Sequence, residues 1–437
     1  MRAVDERDAY ANLALADLLR DRGLHGRDAA FATELAYGTL RGVGTYDAVL
    51  AACVDRPLDA VDAPVRDVLR LGAHQLLAMR VPRHAAVAAT VELARAVLGE
   101  GPGSFVNAVL RRVAFRDLSG WLAEVAPPRE GDLLGHLSVV HSHPPWVVAA
   151  LLDALGGDAA ETEAALIADN TAPAVTLVAR PGRVTVDELL AQSAVFGARR
   201  GRWSPYAVEL DRGDPADLLA VGEGRAGVQD EGSQLVALAL VRAAVPGRDQ
   251  RWLDMCAGPG GKAALLGALA RQQGARVTAT EVAPHRARLV RRAAGSDADV
   301  VVADARRPPW RPGTFDRVLL DAPCTGLGAL RRRPEARWRR QPSDLAALTE
   351  LQRELLGSAL DAVRPGGVVG YVTCSPHLAE TRRVVDGVLA TRDSVSREDA
   401  RALLADVPHL GAGPDVQLWP HRHGTDAMYL SLLRRTR

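Results

Sequence analysis

Beyond about residue 226 the chain alternates short apolar runs of strand length with longer runs of helical period, and this restricts what its second half can become. The predicted strands are Arg251–Cys256, Arg276–Val282, Val300–Ala303, Arg317–Leu320 and Val368–Thr373. Helices are predicted between most of them, at Gly261–Gln272, Pro284–Ala293 and Ser343–Val363. Strand–helix alternation builds a mostly parallel sheet covered by helices on both faces. Such sheets bind ligands beyond the carboxyl ends of their strands. The chemically unusual residues of this half fall at those ends: a glycine-rich loop after the first strand, Glu281 after the second and Asp304 after the third. Asp321 and Cys324 follow the fourth strand, and Cys374 follows the fifth.

The first 125 or so residues read as helices only. Apolar residues recur at helical spacing in Ala11–Leu19, Val65–Leu77, His84–Val97 and Ser104–Phe115, with Gly and Pro between the segments. Ala126-Pro127-Pro128-Arg129-Glu130-Gly131 reads as a linker. From about 140 to 225 a helix at Trp146–Leu155, continuing toward Asp169, precedes strands at Val175–Ala179 and Tyr206–Leu210, with a helix near Val186–Leu190 between them. A chain of 437 residues is too long for one ordinary domain. We expect an all-helical domain at 1–128, a small α/β connecting domain at 140–225 and a catalytic α/β domain at 226–437.

The net charge is +1, so a nucleic-acid site would need a local basic patch. Four scattered cysteines make no disulfide framework and suggest a reducing compartment. The charged N-terminus lacks a signal-peptide core, and no apolar run approaches the roughly 20 residues that span a membrane. A soluble cytoplasmic protein without a membrane segment is expected.

In the loop Asp254-Met255-Cys256-Ala257-Gly258-Pro259-Gly260-Gly261-Lys262, missing Cβ atoms let backbone approach a ligand, and the following helix offers free N–H donors. Lys262 is the only lysine in the chain. A bias toward arginine explains the absence of others but not the survival of this one, and a compact ammonium is not interchangeable with a planar guanidinium. Glu281, about twenty positions on, suits ribose hydroxyls, and Asp304 could accept from an adenine amino group. S-adenosylmethionine and a dinucleotide both fit that set.

The two thiols narrow the chemistry. C5 of cytosine is a poor nucleophile; a thiolate adding at C6 makes C5 enamine-like and able to attack an electrophilic methyl group. A base must then remove the C5 proton so that the thiolate can leave. Cys324 in Asp321-Ala322-Pro323-Cys324 and Cys374 in Thr373-Cys374-Ser375 supply two such thiols, and Asp321 could bond the N3/N4 edge of the base. Cys256 is assigned to the cofactor wall, and Cys53 to a core. After Cys324 come Arg331, Arg332, Arg333, Arg337, Trp338, Arg339 and Arg340, a composition suited to RNA phosphates and stacking on an unpaired base. His141 and His143 have no further metal-ligand partners in sequence, so a structural role and no metal are expected.

These motifs resemble the RNA cytosine-5 methyltransferases, and the full arrangement resembles their Sun/RsmB type, which modifies 16S ribosomal RNA. The N-terminal part is similar to NusB, notably in Phe31–Arg41 and Val106–Arg112, and Ser142-His143-Pro144-Pro145-Trp146 matches the family's junction. The resemblance implies a Rossmann-like methyltransferase domain preceded by a NusB-like RNA-binding bundle. It implies that Cys256, Ala257, Gly258, Pro259, Gly260, Gly261 and Lys262, with Glu281, Asp304 and Asp321, hold S-adenosylmethionine. Cys374 would then be the nucleophile, with Cys324 assisting release, and the protein is expected to act as a monomer. The alternatives are the same chemistry on transfer RNA, or a non-catalytic NusB-like RNA-binding protein. Two departures stand out: Gly258 and Ala263 where the family often has Ala and Thr or Ser, and one acid, Glu380, where it has a pair.

Overall fold

The computed structural model describes Arg2 and residues 11–437. By its internal contacts the chain forms two units: Met1–Thr171 with the strip Leu330–Arg340, and Ala172–Ala329 with Gln341–Arg437.

In the first unit the described helices are α1 (Ala11–Asp21), α2 (Gly26–Arg41), α3 (Val43–Cys53), α4 (Ala63–Leu77), α5 (Arg83–Leu98), α6 (Glu100–Val113), α7 (Leu118–Val125), α8 (Leu133–His141), α9 (Pro145–Ala154) and α10 (Ala159–Asn170). Their starts follow from local chemistry. A proline lies in the first turn of α4, and Asp117, Asp132 and Asp158 accept backbone N–H groups at the starts of α7, α8 and α10. The apolar stripes of α3 to α7 close on Val49, Leu50, Cys53, Leu69, Leu110 and Val113, as expected for Cys53. The helix expected to run from Trp146 toward Asp169 is two helices. Gly156 and Gly157 take φ values of 71° and 83° between them, and Asp158 starts the second as its cap.

The second unit begins with β1 (Val175–Ala179), α11 (Val186–Ser193), β2 (Arg199–Arg200), β3 (Ala207–Leu210) and β4 (Ala226–Val228). These strands form an antiparallel sheet in the order β2-β3-β1-β4. The stretch expected as one connecting domain is therefore divided, its helices α9 and α10 in the first unit and its sheet in the second.

The larger sheet follows: α12 (Glu231–Arg242), β5 (Arg251–Met255), α13 (Gly261–Gln272), β6 (Arg276–Glu281), α14 (Pro284–Ala294), β7 (Ala298–Val302), β8 (Phe315–Asp321), α15 (Asp344–Ala362), β9 (Val363–Thr373), α16 (Arg382–Leu389), β10 (Val395–Glu398), β11 (Val416–Gln417) and β12 (Tyr429–Arg435). Its order is β10-β12-β9-β8-β5-β6-β7, with β11 on β12. Strands β5 to β9 are parallel, and β12 runs antiparallel to β9 with Tyr429 opposite Thr373. Alternate residues feed two cores: Leu319 of β8 joins Leu265, Val372 and Leu430 on one face, and Leu320 joins Met255, Leu356 and Tyr371 on the other. From β5 the chain winds outward to β6 and β7, then returns to β8 and β9, so β5 and β8 flank the switch point where such sheets bind ligands.

Candidate active site

The loop between β5 and α13 is shaped by what cannot fit there. A Cβ on Gly258 would lie 2.3 Å from Glu281 Oε2 and about as close to the Arg286 guanidinium, at 2.9 and 3.0 Å. Gly260, at φ 114°, would set a Cβ 2.8 Å from Ala293 Cβ and 2.9 Å from Val290 Cα. Arg286 donates to Gly258 O at 2.9 Å, which holds the loop to α14. Cys256 sits at φ 61°, half-buried, and burial first, then the charge of Asp321, pushes its thiol up. Glu281, 4% exposed at the end of β6, accepts the N–H of Ala283 at 3.1 Å. Asp304, beyond β7, is bonded to Arg306 at 2.8 and 3.1 Å.

One residue beneath this loop was not singled out from sequence. Asp254 has no exposure, and neither carboxylate oxygen has a hydrogen-bond partner. Burial, then the negative charge of Asp321, pushes its carboxyl well above the usual range. Spare acceptor atoms here, beside glycines that only a Cβ-free backbone satisfies, fit a ligand carrying its own donors, as the ammonium and ribose groups of S-adenosylmethionine do.

Lys262, on the first turn of α13, crosses to the end of β8, where its Nζ lies 2.8 Å from Asp321 Oδ2. Burial alone would lower its affinity for a proton; Asp321 outweighs this, and the charges of Cys374 and Asp254 add to it, so the ammonium is favoured. A fixed cation thus stands between the loop and the ends of β8 and β9.

The two cysteines meet there. Cys324 Sγ and Cys374 Sγ are 3.5 Å apart. The loops bearing them are stitched by Gly328 N–H, which donates to Cys374 O at 2.9 Å. A Cβ on Gly328 would lie 2.0 Å from Ala427 O and 2.9 Å from Cys374 O, so only glycine allows that approach. The Cys324 thiol is pushed well up, first by its hydrogen bond with Cys374 and then by burial. Behind the sulfurs lie Thr325, Ser375, Gln352 and Glu380, of which Ser375, as a hydroxyl flanking Cys374, and Glu380, as a departure, had drawn notice in the sequence. The regular spacing of Thr325 and Ser375, one residue after each cysteine, was a signal that went unused.

The arginine strip requires a correction. Arg337, expected to face RNA, has no exposure. Its Nη1 donates to Arg41 O at 3.1 Å, Ser142 O at 3.2 Å and Asn170 Oδ1 at 2.6 Å, and its Nη2 to Asp169 O at 2.8 Å. These acceptors end α2, α8 and α10, so one guanidinium fork serves the carbonyl ends of three helices. Arg331 is 6% exposed, and Trp338 packs so closely that a Cβ on Gly44 would lie 2.6 Å from its ring. Arg332 is half-buried, and Arg333 is the exposed member of the five residues expected to bind RNA. His141 bonds Glu163 at 3.1 Å, and His143 Nδ1 lies 2.7 Å from His141 O. Among the described residues no group of three His, Cys, Asp or Glu is arranged for a metal. No described helix is long and apolar enough to cross a membrane.

Comparison with known proteins places these features in context. A family model described as 16S rRNA methyltransferase RsmB/F matches residues 241–434, and the NusB family model matches residues 1–115. A provisionally named methyltransferase of Mycobacterium tuberculosis is 56% identical over 437 residues, covering 100% of this chain and 94% of its own. The ribosomal RNA small subunit methyltransferase B of Pseudomonas syringae is 34% identical over 426 residues, covering 95% of this chain and 89% of its own. Among solved structures, PH0851 superposes with a TM-score of 0.77 at 22% identity over 96% of this chain and 93% of its own. NSun6 from Pyrococcus horikoshii with SFG gives 0.57 at 17% identity over 67% of this chain and 98% of its own. Both show a shared fold.

Proposed function

The chain belongs to the RsmB/F family of ribosomal RNA methyltransferases, which use S-adenosylmethionine, and on that footing we propose that it methylates C5 of an unpaired cytosine in 16S ribosomal RNA through a covalent Cys374 adduct. The observation that carries this reading is the pair of sulfurs 3.5 Å apart beyond β8 and β9, beside a lysine–aspartate pair at the switch point of the sheet. The relatives named for the small subunit support 16S RNA over transfer RNA, and a ribosomal substrate puts the enzyme in the cytoplasm.

When bound, S-adenosylmethionine supplies an electrophilic methyl group. The loop Cys256–Lys262 with Glu281 and Asp304 would hold it. Because C5 and C6 are screened inside a stacked helix, the cytosine must be turned out to reach the sulfurs. Asp321, anchored by Lys262, presents its carboxylate to the N3/N4 edge. The Cys374 thiolate forms a bond to C6, and the electron pair released onto C5 takes the methyl carbon, whose bond to the donor sulfur would break with its electrons staying on that sulfur. The C5 proton then leaves, the C5–C6 double bond re-forms, and the C6–sulfur electrons return to Cys374.

Two thiols in contact titrate as a pair, and the first proton lost is shared between them. The ammonium of Lys262 and the charge on Cys374 favour one another, whereas Cys324 is held protonated chiefly by Cys374. This asymmetry supports Cys374 as the member of the pair that carries the thiolate. Once that sulfur is bonded to C6 its charge is gone, and with it the main influence keeping Cys324 protonated. Cys324 can then lose its proton to solvent and accept the one from C5. One pair of thiols thus supplies the nucleophile first and the base second.

Incubation with deproteinised 16S RNA and methyl-labelled S-adenosylmethionine tests this directly. Cys374→Ala should yield neither product nor adduct. Cys324→Ala should accumulate labelled, denaturation-resistant protein–RNA adduct. The reverse pattern makes Cys324 the nucleophile; labelling of transfer RNA alone overturns the substrate; and a wild type that methylates no RNA returns the protein to a binding role.

A further inference from the structure

Behind the two sulfurs lies a polar layer that the reaction just described does not use. Glu380 ends the short turn Leu378–Glu380 and has no solvent exposure. Its Oε1 accepts from the Thr325 backbone N–H at 2.8 Å and from Gln352 Nε2 at 3.2 Å, and its Oε2 accepts from the Thr325 hydroxyl. Gln352 Nε2 also donates to Pro323 O at 2.8 Å. The Thr325 hydroxyl lies 3.2 Å from Ser375 Oγ, which accepts the His377 N–H at 3.2 Å. The Tyr371 hydroxyl donates to Glu380 O at 2.7 Å.

The direction of these bonds is determined. His377 N–H donates to Ser375, whose hydroxyl turns to Thr325, whose hydroxyl turns to Glu380. Pro323 and Thr325 bracket Cys324, and Ser375 follows Cys374. One buried carboxylate therefore ties together both loops that carry the reacting sulfurs. Every side-chain bond it makes is to a donor, so an amide that kept its oxygen on the two N–H groups would turn its NH2 to the Thr325 hydroxyl, reversing that hydroxyl's bond and removing the charge.

Resting on the covalent reading above, we propose that Glu380 is the positioning residue that fixes Cys324 against Cys374 and governs release of the methylated base. It has no solvent exposure, its side-chain partners are Thr325 and Gln352, and it acts through Cys324. Its charge also raises the Cys324 thiol, behind the Cys374 hydrogen bond and burial. When Cys374 is bonded to C6 its own charge is absent and that of Glu380 remains. Cys324 is then kept a stronger base for the C5 proton, and it takes that proton as the C6–sulfur bond breaks and Cys374 leaves as the thiolate.

Single-turnover reactions of wild type, Glu380→Gln and Glu380→Asp with 16S RNA and labelled cofactor test this, with adduct formation and release scored separately across pH. Glu380→Gln should form adduct and release it roughly ten-fold more slowly, less than the ~100-fold or more expected for losing the base itself. Removing a negative charge lowers the Cys324 thiol, so the limb along which release rises with pH should move to lower pH. Glu380→Asp keeps the charge and should hold that limb near its wild-type position. Wild-type release with an unmoved limb in Glu380→Gln overturns the proposal, as does equal slowing of formation and release. Should Glu380→Gln not fold, Thr325→Val must show the same adduct accumulation, since it loses the hydroxyl but keeps the N–H bond; release at the wild-type rate there sinks the idea. A wild type that forms no adduct overturns the covalent reading itself, an outcome no Glu380 variant can mimic.

Discussion

Arg337 in the helical unit and Lys262 in the sheet unit are both buried cations, and they are neutralised in opposite ways. Arg337 meets dipoles: four bonds reach three carbonyls and one amide oxygen at the ends of three helices. Lys262 meets a full charge, Asp321, at 2.8 Å. Burial dominates for Arg337 and brings its guanidinium down to about 10, whereas Asp321 outweighs burial for Lys262 and raises it. A planar fork suits several fixed carbonyls at once, and a single ammonium suits one partner in a site where charge must change during the reaction. The first cation is a cross-link; the second lies in the proposed active site.

The largest effect that tests this contrast is on activity. Lys262→Met should lower kcat/KM by ~10²–10³-fold, about 3–4 kcal/mol, because Asp321 loses its anchor and the developing charges lose a fixed cation. The fold should lose only about 1–2 kcal/mol, since Asp321 is 25% exposed and can hydrate. Lys262→Arg should recover stability without recovering rate. If it recovers both, the tight fit inferred for the lone lysine is wrong.

Arg337→Leu should reverse the pattern. Four buried acceptors would lose their donor, at a cost of about 3–5 kcal/mol in the first unfolding transition. At low temperature kcat/KM per folded molecule should stay close to wild type. An unchanged unfolding midpoint, combined with weaker RNA binding and a shallower salt dependence, would return Arg337 to the phosphate-binding set.

That pair of residues also shows what the sequence could and could not disclose. Periodicity located the parallel strands within two residues, apart from the start of β9 at Val363 instead of Val368, because both faces of that sheet are apolar and helices separate its strands. Glycines and acids at strand ends were legible for the same reason: the sheet puts every carboxyl end on one side. Strands β10 to β12 were not predicted, since their pairing is non-local. Arg337 was misread because six arginines in ten residues look the same whether water or helix ends receive them. Nothing local in Arg331–Arg340 tells that carbonyls from residues 41, 142 and 169 converge there. Glu380 stood out only as an exception to a family pattern; its role depends on Thr325, 55 positions away.

The smallest expected effect sharpens the contrast through pH. His74 in α4 lies 2.8 Å from the Tyr46 hydroxyl and is 3% exposed. Burial, then the positive charge of Arg41, pushes it down to about 4, against the opposing bond from Glu34. The unfolded chain binds a proton here near 6.5, so between roughly pH 4 and 6.5 the unfolded state holds more protons and stability rises with pH. Acidification from 6.5 to 4 should therefore remove up to about 3 kcal/mol from the first unfolding transition, with no further loss from this group below 4. His141 and His143 are also shifted downward, mainly by burial, and add to the slope in the same direction. His74→Gln, which keeps hydrogen-bonding atoms but cannot titrate there, should flatten part of the dependence in urea midpoints taken at pH 7, 6 and 5. A variant curve parallel to wild type would mean that His74 binds its proton equally well in the folded and unfolded states, and a steeper one that Glu34 acts as its counter-charge.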